Sequence, residues 1–273
     1  MHEALRTPSR PRRTVSVCLP ARDEAPTITA MVRMCVDLRD AGVVDEVVVV
    51  DESSDGTASL AARAGARVHR QSELMPEYGP VAGKGDAMWR ALSVLAGDIV
   101  VFVDADTTDP APRLVTGLLA PMQHDARVRF VKGRYRRPFT GAGGHVTPHG
   151  GGRVTELTAR PLLRRCFPEL AAIRQPLAGE IAVDRDLLCA LPFHLDYAVD
   201  VGLLIDAWRT CGADALAQGD LGVRRNRHQP LDALHVMACA VTDAILDRAA
   251  GEGAAAAPMR PPMAALATAE VAA

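Results

Sequence analysis

An α/β fold on a doubly wound, mostly parallel sheet is predicted by three features of the chain. Short β-branched apolar runs alternate with helix-periodic stretches over the first 120 residues. Those runs are apolar at consecutive positions, the mark of strands covered on both faces. Three of them end in clusters of charged and polar side chains.

The elements follow in order. Thr14–Leu19 reads as a first buried strand, closed by Pro20. From Glu24 to about Ala41 the spacing of Ile28, Met31, Val32, Cys35 and Leu38 is helical, stopped by Gly42. Asp45–Asp51 holds four consecutive valines, a second strand, and a helix follows the Ser53–Thr57 turn. Ala66–His69 is a short strand, Lys84–Ala96 a helix and Asp98–Val103 a strand. The second half is less regular: a strand at Val128–Tyr135, a glycine-rich loop at Arg137–Gly152, and a helix at Arg153–Phe167 interrupted near Pro161. Val199–Cys211 is helical, Asp214–Arg224 leads into a polar turn, and Pro230–Ala249 is a final helix with proline in its first turn. Residues 1–13 and 251–273 read as disordered tails, the second rich in Ala, Pro and Gly.

Composition narrows the function. With 273 residues, 48% hydrophobic and 4% aromatic, the chain suits one large domain with a Val, Leu, Ala and Ile core. A net charge of −2 argues against a general nucleic-acid binder. No apolar run approaches the roughly 20 residues that span a bilayer. The basic N-terminus (Arg6, Arg10, Arg12, Arg13) precedes no apolar signal core, and the six cysteines form no CxxC pair. A cytoplasmic protein with reduced thiols is expected.

Asp104-Ala105-Asp106 follows directly on the strand at 98–103. Ligands of open α/β sheets bind beyond the carboxyl ends of strands, and two carboxylates at i and i+2 suit a hard cation such as Mg²⁺ or Mn²⁺ against a diphosphate. The plainer reading is a loop capping the helix after Pro110. Asp51-Glu52-Ser53-Ser54-Asp55 also ends a strand, where Asp51 or Ser53 can face a uracil or ribose while Ser54 or Asp55 caps the next helix. Pro20-Ala21-Arg22-Asp23-Glu24 is the third such cluster. Gly83-Lys84-Gly85 is no P-loop: the spacing from Gly79 is one residue short, and Gly85 stands where Ser or Thr would meet Mg²⁺. Lys84 at a helix start still suits a phosphate oxygen. Gly150-Gly151-Gly152-Arg153-Val154-Thr155 places flexible backbone, a guanidinium and a hydroxyl at a helix N-terminus, the parts of an anion site. Arg224-Arg225-Asn226-Arg227-His228 reads as a solvated charge run.

Taken in order, PARDE, VVVVDESSDGT, GKGDAMWRAL, GDIVVFVDADTTDPAP, YRRP, GGGRVTELTARPLL, ELAAIRQPLAGEIAVDRDLL, LPFHLDYAVDVGLLID and GVRRNRHQPLDAL closely resemble the glucosyl-3-phosphoglycerate synthases, retaining glycosyltransferases of the GT-A fold. The resemblance runs from about Thr14 to Arg248. It implies one GT-A domain over 14–250, with a nucleotide-sugar-binding half (14–121) and an acceptor-binding half (122–250), and a homodimer. It implies UDP-sugar contacts at Pro20, Ala21, Arg22, Glu24 and Ser53, a donor-phosphate lysine at Lys84, and metal and donor binding at Asp104, Ala105 and Asp106, with Asp106 the direct ligand. Gly152, Arg153 and Thr155 match the cradle for a phosphoglycerate acceptor, and Tyr197 falls near sugar and acceptor. Two departures stand out. The family's glutamate beside the hexose is Asp200, one methylene shorter. The family's metal histidine is Asn226 and its acceptor asparagine is His228, so the two types have exchanged places. Positions i and i+2 of an extended segment share a face, which lets His228 reach the metal. A second reading, with the larger donor pocket that Asp200 leaves, is a relative in specialised metabolism moving glucose or N-acetylglucosamine onto an aromatic or carrier-bound acceptor, as in mitomycin-type pathways. Sugar-1-phosphate nucleotidyltransferases share such a sheet, but their glycine-rich N-terminal loop with arginine does not occur here. A non-catalytic nucleotide-sugar-binding module is the remaining class.

Overall fold

The computed structural model describes residues 12–140, 146–147, 151–224, 231–251 and 258–266. Strand β1 (Val15–Ala21) is followed by α1 (Ile28–Asp40), β2 (Glu46–Asp51), α2 (Thr57–Ala64), β3 (Arg67–Arg70), α3 (Lys84–Ala91), β4 (Ile99–Phe102) and α4 (Arg113–His124). Then come β5 (Phe130–Arg136), the two-residue strands β6 (Phe139–Thr140) and β7 (Val146–Thr147), α5 (Arg160–Cys166), β8 (Ile181–Asp184), α6 (Arg185–Cys189), β9 (Phe193–His194), α7 (Val199–Cys211), β10 (Leu216–Val223), α8 (Leu231–Ala250) and β11 (Met259–Arg260).

Seven strands form the central sheet in the order β10-β5-β8-β4-β1-β2-β3. Strand β8 runs antiparallel to β4 and β5, and the other pairs are parallel. The consecutive valines are explained by two cores, one on each face. Cys18, Val48, Val50, Val100 and Phe102 pack with α3, α7 and α8, while Val17, Leu19, Val47, Val49 and Val101 pack with α1 and α4. Full burial of each valine or leucine contributes roughly 1.5–3 kcal/mol. Helix α1 buries Ile28, Met31, Val32, Cys35 and Leu38, the stripe read from its spacing. Strand β1 lies between β2 and β4 and parallel to both, so these three strands deliver their carboxyl ends to one edge at the point where strand order reverses.

The structure departs from the sequence reading in several places. Asp214–Arg224 holds an edge strand, β10, in place of a lead into a turn. Its glycines hid it: a Cβ on Gly219 would strike the Gly117 carbonyl of α4, and Gly222 follows a bulge at φ 83°. Helix α3 ends at Ala91, short of Ala96, as the chain tightens into three-residue turns from Leu92 to Val94. The helix around Pro161 runs from 153 to 166 through a widened π turn at Thr155–Ala159, because Pro161 has no N–H to close the normal bond to Leu157. The loop at 137–152 contains the β6–β7 pair. The tail expected from 251 returns to the body at 258–266, where β11 pairs with β9 and the Pro261 carbonyl accepts a bond from Trp89 Nε1 at 2.8 Å. At the other end Arg12 pairs with Asp45 at 2.9 Å and Arg13 pairs with Asp184, while residues 1–11 lie outside the described residues. All six cysteines are free thiols.

Candidate active site

The edge where β1, β2 and β4 end opens into a cleft of about 560 Å³. Lys84, the first residue of α3, reaches across it. Its Nζ lies 2.7 Å from Asp104 Oδ1, just beyond β4, and 3.3 Å from Asp200 Oδ2 in the first turn of α7. Arg224, at the end of β10, donates from Nη2 to Asp104 Oδ2 (3.1 Å) and Asp106 Oδ1 (2.8 Å), and from Nη1 to Glu180 Oε1. Lys132 of β5 donates to the Asp200 carbonyl at 2.7 Å. Four carboxylates and three cations are thus interleaved on one sheet edge.

Burial and charge set the electrostatics. Burial alone would draw the Lys84 ammonium down, but Asp104 and Asp200 outweigh it and raise its pKa. Burial pushes the Asp104 carboxyl up, and Lys84 and Arg224 reverse this, holding it below the usual carboxylate range. At Asp200 burial prevails over Lys84 and Lys132, and the carboxyl is raised. Burial brings Lys132 down to about 8, partly countered by Asp200. Two neighbouring carboxyls, one held below the ordinary range and one raised, are shifted in opposite directions, as is common at working sites.

Two carboxylates of the kind a hard dication takes stand here. Asp104 and Asp106 present oxygens two residues apart, and one guanidinium nitrogen already bridges them. The Asp106 side chain is 45% exposed and that of Arg224 only 1%, so Asp106 offers its carboxylate to the cleft. No cluster of three His, Cys, Asp or Glu side chains able to hold a metal occurs among the described residues. Asn226 and His228 lie outside them.

Pro20, Ala21, Arg22, Glu24 and Ala105 line the same cleft. Ser53 does not. Its Oγ donates to Asp51 Oδ1 at 2.5 Å and accepts from the Asp23 N–H at 2.7 Å, tying the ends of β1 and β2 together. Asp55 Oδ1 accepts from the Thr57 N–H at 3.1 Å, a turn ahead of α2, whose N-cap is Gly56 with no side-chain cap bond, so neither Ser54 nor Asp55 caps the helix. Gly152, Arg153, Thr155 and Tyr197 line the cleft as well. Gly152 has φ 77°, a left-handed turn that favours glycine, and it aims the start of the helix at the cleft.

Several site residues were not read from the sequence. Arg224 is no solvated charge, because β10 carries it beneath the β4 loop. Glu180 and Lys132 are both 1% exposed. Arg137 lines the cleft beside Gly151, its guanidinium 5.4 Å from the Tyr135 ring centre. Gly179 makes room for the central ion pair, since a Cβ there would collide with both Lys84 Nζ and Asp104 Oδ1. Gly85 is glycine for packing: a Cβ would strike the His194 carbonyl.

The family model for glycosyl transferase family 2 matches residues 16–181. Glucosyl-3-phosphoglycerate synthase of Mycolicibacterium paratuberculosis is 47% identical over 239 residues, 86% of this chain and 72% of that one. The synthase of Mycobacterium tuberculosis is 45% identical, covering 86% of this chain and 74% of its own. The solved structure of glucosyl-3-phosphoglycerate synthase from Mycobacterium tuberculosis in complex with Mn²⁺, UDP-glucose and phosphoglyceric acid matches with a TM-score of 0.83 at 40% identity, covering 93% of this chain and 91% of that one. Mannosyl-3-phosphoglycerate synthase from Rubrobacter xylanophilus matches with a TM-score of 0.84 at 40% identity, covering 93% and 90%.

Proposed function

Because the chain belongs to glycosyl transferase family 2 and, within it, to the glucosyl-3-phosphoglycerate synthases, we propose that its cleft moves glucose from UDP-glucose to 3-phosphoglycerate with retention of configuration. One observation carries the reading. Asp200 Oδ2 is held by Lys84, which also holds Asp104, while Asp200 Oδ1 is buried without a partner. A buried orphan acceptor costs about 1–3 kcal/mol, and a hexose hydroxyl bound there relieves it.

The roles follow from position. Pro20, Ala21, Arg22 and Glu24 take the uridine, with Ser53 bracing their loop. Lys84 donates to a phosphate oxygen. Asp104, Asp106 and His228 would hold Mg²⁺ or Mn²⁺, which when bound neutralises charge on the departing diphosphate. Gly152, Arg153 and Thr155 grip the acceptor's anionic group, a forked guanidinium suiting phosphate or carboxylate. Tyr197 closes the wall between sugar and acceptor. Among the described residues no helix is long and apolar enough to cross a membrane. The same reading makes the protein a cytoplasmic homodimer.

Donor and metal are tested together by thermal stabilisation. With Mn²⁺ present, UDP-glucose at a hundred times its Kd adds about 2.7 kcal/mol by mass action. GDP-mannose adds none. His228→Ala raises the Mn²⁺ concentration required, and Asn226→Ala does so less. Stabilisation by GDP-mannose in place of UDP-glucose contradicts the donor, and the reverse ranking of the two variants contradicts His228 as ligand.

A further inference from the structure

We propose that Arg260 is a positioning residue for donor binding: from the C-terminal strap it fixes, through Asp86, the loop that precedes Lys84. The inference rests on the UDP-sugar reading and adds to it an element remote in sequence from every residue assigned above.

Asp86 is the third residue of α3 and is fully buried. It accepts four bonds. Gln71 Nε2 (2.8 Å), the Ala82 N–H (2.9 Å) and Arg90 Nε (2.9 Å) meet Oδ2, and Arg260 Nε meets Oδ1 at 2.6 Å. Arg90, itself buried, already balances the carboxylate. A second guanidinium in such a place is therefore not needed for neutrality, and desolvating it costs free energy. What Arg260 adds is geometry. Its Nη1 donates to the Tyr78 carbonyl at 2.6 Å, and its guanidinium carbon lies 5.4 Å from the centre of the Trp89 ring. Tyr78 meets Trp89 edge to face at 4.9 Å.

The loop between β3 and α3 depends on these contacts. It holds only two three-residue turns, Gln71–Glu73 and Pro76–Tyr78, and Met75 sits at φ 50°. Arg90 grips the carbonyls of Met75 (2.9 Å) and Gly79 (2.8 Å), and Arg260 grips that of Tyr78. Two of the three donors on the Oδ2 side, Gln71 and Ala82, line the cleft, and Gly83 and Lys84, which follow Ala82 in the chain, line it as well. One carboxylate thus joins the strap on its Oδ1 side to the donor wall on its Oδ2 side. The strap is seated independently, by pairing of Met259 and Arg260 with His194 and Phe193 and by the Trp89–Pro261 bond. Loss of Arg260 leaves the Tyr78 carbonyl and Asp86 Oδ1 without this donor and frees the loop that sets where Lys84 begins its helix.

The test uses the full chain and calorimetric titration with UDP in saturating Mn²⁺, which needs no acceptor. Arg260→Ala is expected to weaken UDP binding about tenfold. The KM for UDP-glucose rises in step, while kcat and the KM for 3-phosphoglycerate stay within about twofold, since Asp106, Asp200 and Arg153 are untouched. Arg260→Lys keeps the charge but cannot reproduce the three bonds to Asp86 and to the Tyr78 and Pro80 carbonyls, so it recovers part of the affinity; it also carries the test if the alanine variant does not fold. A purely structural role would lower the melting temperature and leave UDP affinity unchanged, which overturns the proposal, as does a loss confined to kcat. If the wild type binds UDP and Arg260→Ala binds it equally well, this inference fails alone. If the wild type binds no UDP, the donor reading fails first and takes the inference with it.

Discussion

Asp106→Ala is expected to lower kcat/KM more than tenfold, at least about 1.4 kcal/mol of barrier, with little change in stability. The reason is its exposure. The Asp106 side chain is 45% exposed at the cleft, whereas Arg224, which bonds to it, is buried and keeps Asp104 and Glu180 as partners. Removing Asp106 therefore leaves no buried charge unpaired, and a partly exposed ion pair accounts for about 0–1 kcal/mol. What is lost is the accessible carboxylate of the pair proposed to hold the metal. Initial rates across a Mn²⁺ titration, with melting curves alongside, check the two halves. Near-normal turnover that still requires metal would remove Asp106 from the site.

Lys84→Ala is expected to have the larger effect, and to show it in both measurements. Lys84 is the shared cation of Asp104 and Asp200. Without it the buried Asp200 carboxylate loses its side-chain partner and keeps only the more distant charge of Lys132, whose own bond is to the Asp200 carbonyl. Breaking a buried pair by removing one partner costs about 3–5 kcal/mol; the low end applies because the site opens to solvent. The melting temperature falls by several degrees, at about 2–4 °C per kcal/mol for a chain of this order of size. Turnover falls more than about a hundredfold, about 2.7 kcal/mol, as the donor phosphate loses its ammonium. Lys84→Arg restores stability in part and turnover little, because a planar guanidinium does not reproduce the compact point charge of an ammonium between Asp104 and Asp200. Full activity in Lys84→Arg would show that charge alone suffices.

These two residues were legible in the sequence, and the reason is physical. Strands covered on both faces write themselves as valine runs, so the polar residues that end them stand out as an edge. Lys84 was legible because a helix start after glycine is a place for phosphate. The other half of the ion cluster was hidden. Arg224 lies next to Arg225 and Arg227, where spacing suggests solvent, and the strand that buries it is broken by Gly219 and Gly222. Those glycines answer to the close approach of α4 and to a bulge, neither of which a linear pattern records. Lys132 left a signal that was readable: a lysine within Phe-Val-Lys-Gly, where Phe130, Val131 and Lys132 are all buried, needs a charged neighbour. Gly179 and the return of residues 258–266 depend on contacts between segments far apart in sequence.

Incubating the wild type with UDP-glucose, Mn²⁺ and 3-phosphoglycerate and identifying the product by NMR tests the glucosyl transfer to phosphoglycerate. One glucosylated phosphoglycerate that keeps the anomeric configuration of the donor is expected. The yield is expected to collapse in Arg153→Lys, since lysine cannot reproduce the forked grip on an anionic group. A wild type that binds UDP-glucose tightly but leaves 3-phosphoglycerate unglucosylated, while transferring to an aromatic or carrier-bound acceptor, would contradict this expectation.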